Sequence, residues 1–300
     1  MGECCAVVTF STGRRWLTDL MNPLKRRYCK RHGYDFVFVW RRRNLDRPAA
    51  WEKLDAVRSA LETHDVVMWL DDDAAPMNEQ VRFESILEPG MWMAVARDGF
   101  MSALEGRLHC NTGVFVMRRC EEALSFLDRW RSKEMFARHA AAKLWEQSAF
   151  QWMMEQPDAP KGIQVVAPHV LNAFDQEMIW HVGPVEEAWR PGDFILHFAG
   201  AMKRGPQDAP ALKARLREAL AQTPDARPWV VVSGAGCMIP MWCESWRMGG
   251  NTLPVRFYDD GSWSREERTA AARTGVLHDA SAVYAQVRER MQGRKMKAAG

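Results

Sequence analysis

The chain has 300 residues, 47% hydrophobic and 26% charged, with a formal net charge of +3. That balance excludes a disordered or fibrous protein, and it argues against a dedicated nucleic-acid binder, which would carry a strongly basic face. No apolar run reaches the length of a membrane span, and the start Met-Gly-Glu-Cys-Cys lacks the basic and apolar regions of a signal peptide. As written, the chain reads as soluble and cytoplasmic, with peripheral membrane association left open.

A short apolar run over 6–10 predicts a first strand, followed by the turn signal Ser11-Thr12-Gly13. Residues 16–31 have helical spacing with a basic face, and Gly33 is placed to end that helix. A second strand over 34–40 leads to a loop with Arg41-Arg42-Arg43 and Pro48, which reads as a solvated face. A helix over 51–62 precedes a third buried strand, 66–70, that runs directly into Asp71-Asp72-Asp73. Strands are then expected over 92–96, 113–117, 164–167 and 193–198, with helices over 121–131, 144–154 and 211–222. This alternation predicts an α/β domain over 1–223 with a mostly parallel central sheet. Residues 224–300 restart the pattern, with strands expected over 229–233 and 255–258. This C-terminal α/β extension either packs on the first domain or opens a second one.

The seven cysteines are odd in number and scattered. Cys4 and Cys5 are adjacent, which suits neither an intrachain bridge nor a zinc pair. Cys237 and Cys243 lie too far apart for the usual zinc spacing. All read as thiols of a reducing compartment.

The acidic triplet is the strongest chemical signal. Ligands of open α/β sheets bind at the carboxyl ends of strands. Alternation along a strand lets Asp71 and Asp73 converge while Asp72 points away. Converging carboxylates suit Mg²⁺ or Mn²⁺; the alternative is capping of a following helix by the same acids. His197 ends an apolar strand and is followed by small residues up to Gly200, so it is either a ligand or an ordinary hydrogen-bonded histidine. Lys203 could meet a phosphate. Asn111-Thr112-Gly113 reads as a turn before a strand, with Asn111 able to meet hydroxyl groups. Glu146 and Gln147 open a helix on which Gln147 and Gln151 share a face. Two rivals remain at this point. Clustered aspartates also build metal-dependent phosphoesterases and nucleases. Fourteen tryptophans could serve a non-catalytic carbohydrate-binding protein, although Trp16, Trp69 and Trp130 fall in core patterns.

Six segments are informative in their order: Tyr28-Cys-Lys-Arg-His-Gly33-Tyr34, Trp51-Glu-Lys53, Trp69-Leu70-Asp71-Asp72-Asp73-Ala74, Asn111-Thr112-Gly113, Glu146-Gln147-Ser148-Ala149, and Gly192-Asp193-Phe194-Ile195-Leu196-His197-Phe198-Ala199-Gly200. Over about residues 6–203 they resemble glycosyltransferase family 34, the fungal α-mannosyl- and α-galactosyltransferases and the plant xyloglucan xylosyltransferases. The resemblance implies a GT-A, Rossmann-like fold. It implies a retaining, Mn²⁺- or Mg²⁺-dependent transfer of a hexose or pentose from a UDP- or GDP-linked donor to a glycan or glycoconjugate acceptor. By the same carry-over, Asp71, Asp73 and His197 hold the metal. The nucleotide sugar meets Thr9, Ser11, Lys53, Asp71, Asp72, Gly200 and Lys203. Asn111, Glu146 and Gln147 line the reacting centre. Asp72 stands where the family commonly has a small residue, and either touches the ribose or caps the next helix. In the extension, Asp259-Asp260-Gly261-Ser262 resembles a segment near the start of other bacterial-type glycosyltransferase-like domains, or is a plain turn.

Overall fold

The computed structural model describes residues 2–11, 15–98, 101–102, 105–175, 188–200, 209–222, 245–248 and 251–254. Contacts divide the chain into two units, Met1–Asp225 and Ala226–Gly300.

The first unit is built on a six-stranded sheet. Its strands are β1 (Cys5–Phe10), β2 (Asp35–Val39), β3 (Val66–Leu70), β5 (Met93–Arg97), β6 (Cys110–Arg118) and β7 (Ile163–Val166), in the order β2-β1-β3-β6-β5-β7. The pairs β1–β2, β1–β3 and β5–β7 are parallel, while β6 runs antiparallel to both neighbours. The sheet is therefore mostly parallel with one reversed strand. Every residue of β1 and β3 is buried, as expected of central strands covered on both faces. Those of β2 and β7, at the edges, are mostly half-buried.

Helices cover both faces. On one side α2 (Glu52–Ala60), α3 (Glu121–Trp130) and α5 (Trp145–Met154) meet the odd or even residues of each strand in a core that includes Val8, Trp69, Phe115, Phe126, Trp130 and Phe150. A short helix, α4 (Lys133–His139), links two of them. On the other side, α1 (Arg15–His32) contributes Tyr28 and the brief α6 (Pro168–Leu171) contributes Leu171 to a core with Val7, Met68, Val114 and Phe194. Gly33 takes φ +73° and ends α1, a conformation that costs glycine least. The last helix of this unit is α7 (Ala209–Gln222).

A second sheet, of three very short strands, positions the site. It pairs β4 (Ala74–Pro76) antiparallel to β9 (Ile195–His197), and β9 parallel to β8 (Ala173–Phe174). The acidic triplet is followed by this strand and not by a helix, so the helix-capping readings of the triplet and of Asp72 do not hold. Nor is Asn111-Thr112-Gly113 a turn: it lies inside β6, and a register shift between Val95 and Ala96 of β5 accommodates it.

In the second unit, β10 (Ser245–Met248) and β11 (Asn251–Pro254) form an antiparallel pair that the sequence reading did not place. The intervening Gly249-Gly250 is a two-residue hairpin signal. The strands expected over 229–233 and 255–258, the segment 259–262, Lys203, Cys237 and Cys243 lie outside the described residues. Among the described residues, no helix is long and apolar enough to cross a membrane.

Candidate metal centre and its surroundings

Where β3 ends, the Asp71 N–H donates to the Gly113 carbonyl at 2.8 Å, across to β6. The Asp71 carboxylate is fixed through Oδ1, which accepts from Trp69 Nε1 at 2.7 Å and pairs with Lys53 Nζ at 3.1 Å. A turn closed by Ala74 N–H on the Asp71 carbonyl then delivers the chain into β4. Because Ala74 lies opposite His197 in the small sheet, and the Phe198 N–H donates to the Asp73 carbonyl at 3.0 Å, the Asp73 side chain is carried to His197. Asp73 Oδ1 stands 3.1 Å from His197 Nε2. One donor atom each from Asp71, Asp73 and His197 lie within 4.8 Å of one another. The convergence expected of Asp71 and Asp73 is present, but a turn and a second sheet produce it, not alternation along one strand.

A hydrogen-bond chain sets the histidine's tautomer. The Gly113 N–H can only donate, and it donates to Asn111 Oδ1 at 2.9 Å. Asn172 Nδ2 donates to that same oxygen at 3.0 Å, which turns Asn172 Oδ1 toward His197 Nδ1, 2.9 Å away. His197 Nδ1 therefore carries a proton, and Nε2 is the atom presented to Asp73 and to any cation. A ligating histidine is commonly oriented in this way by a carbonyl acceptor behind it. Burial alone would raise the Asp73 carboxyl; the facing His197 and, further off, Lys25 outweigh it and hold it below the usual carboxylate range. Asp73 and His197 are buried, while the Asp71 side chain is 30% exposed and leaves the group open on one side. Two carboxylates and one imidazole nitrogen fit a divalent ion that accepts oxygen and nitrogen donors.

Gly113 forms the floor. A Cβ there would lie 2.3 Å from His197 Cε1, 2.9 Å from Asn111 Oδ1 and 3.0 Å from Asp71 Oδ2. Its place is set by the absence of a side chain, not by backbone conformation.

Beside the triad lies a buried polar cluster. Lys53, on the first turn of α2, bonds Asp71 Oδ1, Glu146 Oε1 at 2.8 Å and the Thr112 carbonyl at 3.2 Å. Burial would lower its ammonium pKa, but Asp71 and Glu146 outweigh burial and hold it above the ordinary lysine range. Glu146 is lifted above the usual carboxylate range by burial, which Lys53 offsets only in part. Its Oε2 is buried and has no hydrogen-bond partner among the described residues. Gln147 Oε1 accepts from the Thr112 N–H at 3.2 Å and Gln151 Oε1 from the Cys110 N–H at 3.3 Å. The shared face of Gln147 and Gln151 thus docks on the β6 backbone instead of meeting solvent. Trp145, immediately before Glu146 and Gln147, has φ +46°, a strained value for a bulky residue.

The remaining expected residues are placed as follows. Thr9 is buried and its hydroxyl accepts from Lys25 Nζ at 3.0 Å. Ser11 is buried and its Oγ accepts from Thr18 at 2.9 Å. Gly200 follows β9 with φ +81°. The arginine run is tied to its own loop and to α2: Arg43 Nη1 donates to Ser59 of α2 at 2.7 Å, Arg42 donates to the Arg47 carbonyl, and Arg41 stacks on Trp40. Two neighbours of the triad were not singled out from the sequence, Asn172 and Lys25. Lys25 Nζ donates to the Asp71 carbonyl at 2.7 Å as well as to Thr9. Its burial lowers its pKa to about 8, with Asp72, Asp73 and Asp71 pulling the other way. Asp72 heads those opposing charges and is half-buried.

The model of the galactosyl transferase GMA12/MNN10 family matches residues 14–101 and 105–207. A rice protein (Oryza sativa subsp. indica) named "Probable glycosyltransferase 4" is 24% identical over 227 residues, 63% of this chain and 46% of its own. The alpha-1,2-galactosyltransferase of Schizosaccharomyces pombe is 23% identical over 210 residues, 59% of this chain and 54% of its own. The chain thus spans about half the length of these relatives. Among solved structures, a glycosyltransferase involved in the glycosylation of the major capsid of PBCV-1 superposes with a TM-score of 0.54 at 16% identity, covering 70% of this chain and 99% of that one. The fold is the GT-A glycosyltransferase fold. The matched segments hold every residue of the triad and of the polar cluster beside it, and they span well over half of the sequence, so the chain belongs to the galactosyl transferase GMA12/MNN10 family.

Proposed function

We propose that this chain is a metal-dependent, retaining glycosyltransferase that moves a hexose or pentose from a UDP- or GDP-linked donor to a glycan or glycoconjugate acceptor. The observation that carries the reading is the convergence of Asp71, Asp73 and His197 Nε2, with the histidine tautomer set from behind by Asn172. Family membership and relatives named as galactosyl- and xylosyltransferases support sugar transfer. In this reading Asp71, Asp73 and His197 hold Mn²⁺ or Mg²⁺. When bound, the ion would supply charge to stabilise the departing nucleoside diphosphate.

The chain's own groups do the rest. Lys53 pins the Asp71 carboxylate, its charge already spent on Asp71 and Glu146, so it acts on the donor through Asp71. Glu146 and Gln147 stand next to the triad on α5, and in this reading they steady the positive character that develops at the anomeric carbon of the sugar. Asn111 shares its Oδ1 between Gly113 and Asn172 and so shapes the pocket as well as lining it.

The test is a donor panel. The purified chain is incubated with UDP- and GDP-sugars, with Mn²⁺ or with chelator, and released nucleoside diphosphate is measured beside Asp73→Ala and His197→Ala. Metal-dependent release from one donor, lost in both variants, is the expected result. Absence of release together with absence of metal-dependent nucleotide binding overturns the proposal.

A further inference from the structure

At the opposite end of the sheet, the amino ends of β1, β2 and β3 bring together Cys4, Asp35 and His64, and donor atoms from the three lie within 4.8 Å of one another. We propose that these three residues form a second metal site, for Zn²⁺ or a similar thiolate-accepting divalent ion, separate from the triad at the carboxyl ends of the strands.

The histidine is the key. His64 Nδ1 lies 2.9 Å from the Ala60 carbonyl, at the end of α2. A carbonyl can only accept, and the Thr63 hydroxyl, 3.0 Å from the same nitrogen, donates its own proton to the Ala60 carbonyl and so accepts here as well; Nδ1 therefore carries the proton. Nε2 then points at Asp35 Oδ2, 3.0 Å away. In the neutral ring this sets a lone pair against a carboxylate oxygen, and either a second proton or a cation must lie between them. A proton would make an ion pair at a helix C-terminus and would need nothing more. Cys4 is the third component, which an ion pair has no use for and a metal does.

Cys4 is also held in place. Its N–H donates to Asp65 Oδ2 at 3.0 Å and its carbonyl accepts from the Asp65 N–H at 2.7 Å. Asp65 is in turn anchored by Arg119 Nη2 at 2.6 Å. Sheet register fixes the others: Ala6 lies opposite Asp35 and Cys5 opposite Val66, so all three donors sit at one rim. Sulfur, imidazole nitrogen and carboxylate oxygen form the donor set that zinc accepts, with a fourth position left for water. Around a zinc ion such donors are separated by about 3.3–3.8 Å, so a modest rotation of the exposed Cys4 and Asp35 side chains closes the triad. Binding would release the Cys4 thiol proton to solvent and leave a thiolate–metal bond. Adjacency of Cys4 to Cys5 is irrelevant to this site, because its ligands come from three separate strand ends.

Cobalt distinguishes the two metal sites, because the Asp71–Asp73–His197 triad contains no sulfur. The full chain, kept reduced and freed of metal by chelator, is titrated with Co²⁺ and the thiolate-to-cobalt charge-transfer absorption is followed, with Zn²⁺ as competitor. The expected result is a saturable band that Zn²⁺ displaces, that Cys4→Ser and His64→Gln abolish, and that Asp73→Ala leaves intact. In the same samples, Zn²⁺ should raise the Tm of the Asp73→Ala protein but not that of the Cys4→Ser, Asp73→Ala double variant. Absence of the band in the unsubstituted chain, or its persistence in Cys4→Ser, overturns the proposal and leaves His64 and Asp35 as an ion pair.

Discussion

One methyl group tests the triad's geometry. Gly113→Ala places a Cβ 2.3 Å from His197 Cε1, against a ring fixed on both nitrogens. Overpacking of this kind costs about 1–3 kcal/mol. The expected outcome is a lowered Tm together with loss of Mn²⁺ binding, read by calorimetry. Asn172→Ala takes the acceptor away from His197 Nδ1 without touching the triad, and losing such a partner weakens metal affinity by about 10- to 100-fold. Asn172→Asp keeps an acceptor there and should retain far more of the affinity. Lys25→Met works in the opposite sense. It removes a buried cation beside three aspartates, so the metal-free protein should melt earlier while Mn²⁺ binds more tightly, and saturating Mn²⁺ should close the gap in Tm. At this scale Asp71, Asp73 and His197 were legible as strand-end residues, and Glu146 and Gln147 only through the resemblance of the segments that hold them. Asn172 and Lys25 were not. Each acts through partners far along the chain, Asn172 on Asn111 across 61 residues and Lys25 on Asp71 across 46. In the sequence Lys25 is merely one cation on the basic face of α1.

Among the elements, the first turns of α2 and α5 are tied together by Lys53 and Glu146. Removing one member of a buried ion pair costs about 3–5 kcal/mol, because the survivor is left charged and unpaired. Lys53→Met strands both Glu146 and Asp71, so urea unfolding should show a loss of that size. Adding Glu146→Gln should recover part of it, a coupling that a double-mutant cycle measures. Both helices were expected from spacing, and both are present within a few residues. Spacing shows that Gln147 and Gln151 share a face of α5 but not what lies opposite it. Here Gln147 and Gln151 satisfy backbone N–H groups of β6. The same strand begins earlier than the sequence indicated and takes in Asn111, which read as part of a turn; asparagine and glycine are depleted in strands, and here they place an amide and an open space beside the triad.

For the molecule as a whole, the site depends on two sheets meeting at one rim. The six-stranded sheet was legible as a largely parallel α/β pattern, since β1 and β3 are continuous apolar runs. The reversal of β6 was not, because a buried strand reads the same in either direction. The small sheet was not legible either: strands of two or three residues carry no periodicity. Yet this sheet brings Asp73 and His197, 124 residues apart, into contact. All the residues of the triad and its supporting network fall in the first unit, which ends at Asp225. A chain cut after Asp225 should therefore bind Mn²⁺ and nucleoside diphosphate with the affinity of the full chain, measured by calorimetry on both proteins. Equal affinity with lowered transfer to an acceptor would assign residues 226–300 to acceptor recognition. Weakened metal binding in a fragment that still melts cooperatively would mean that the second unit completes the site, and would displace the view that the two sheets suffice.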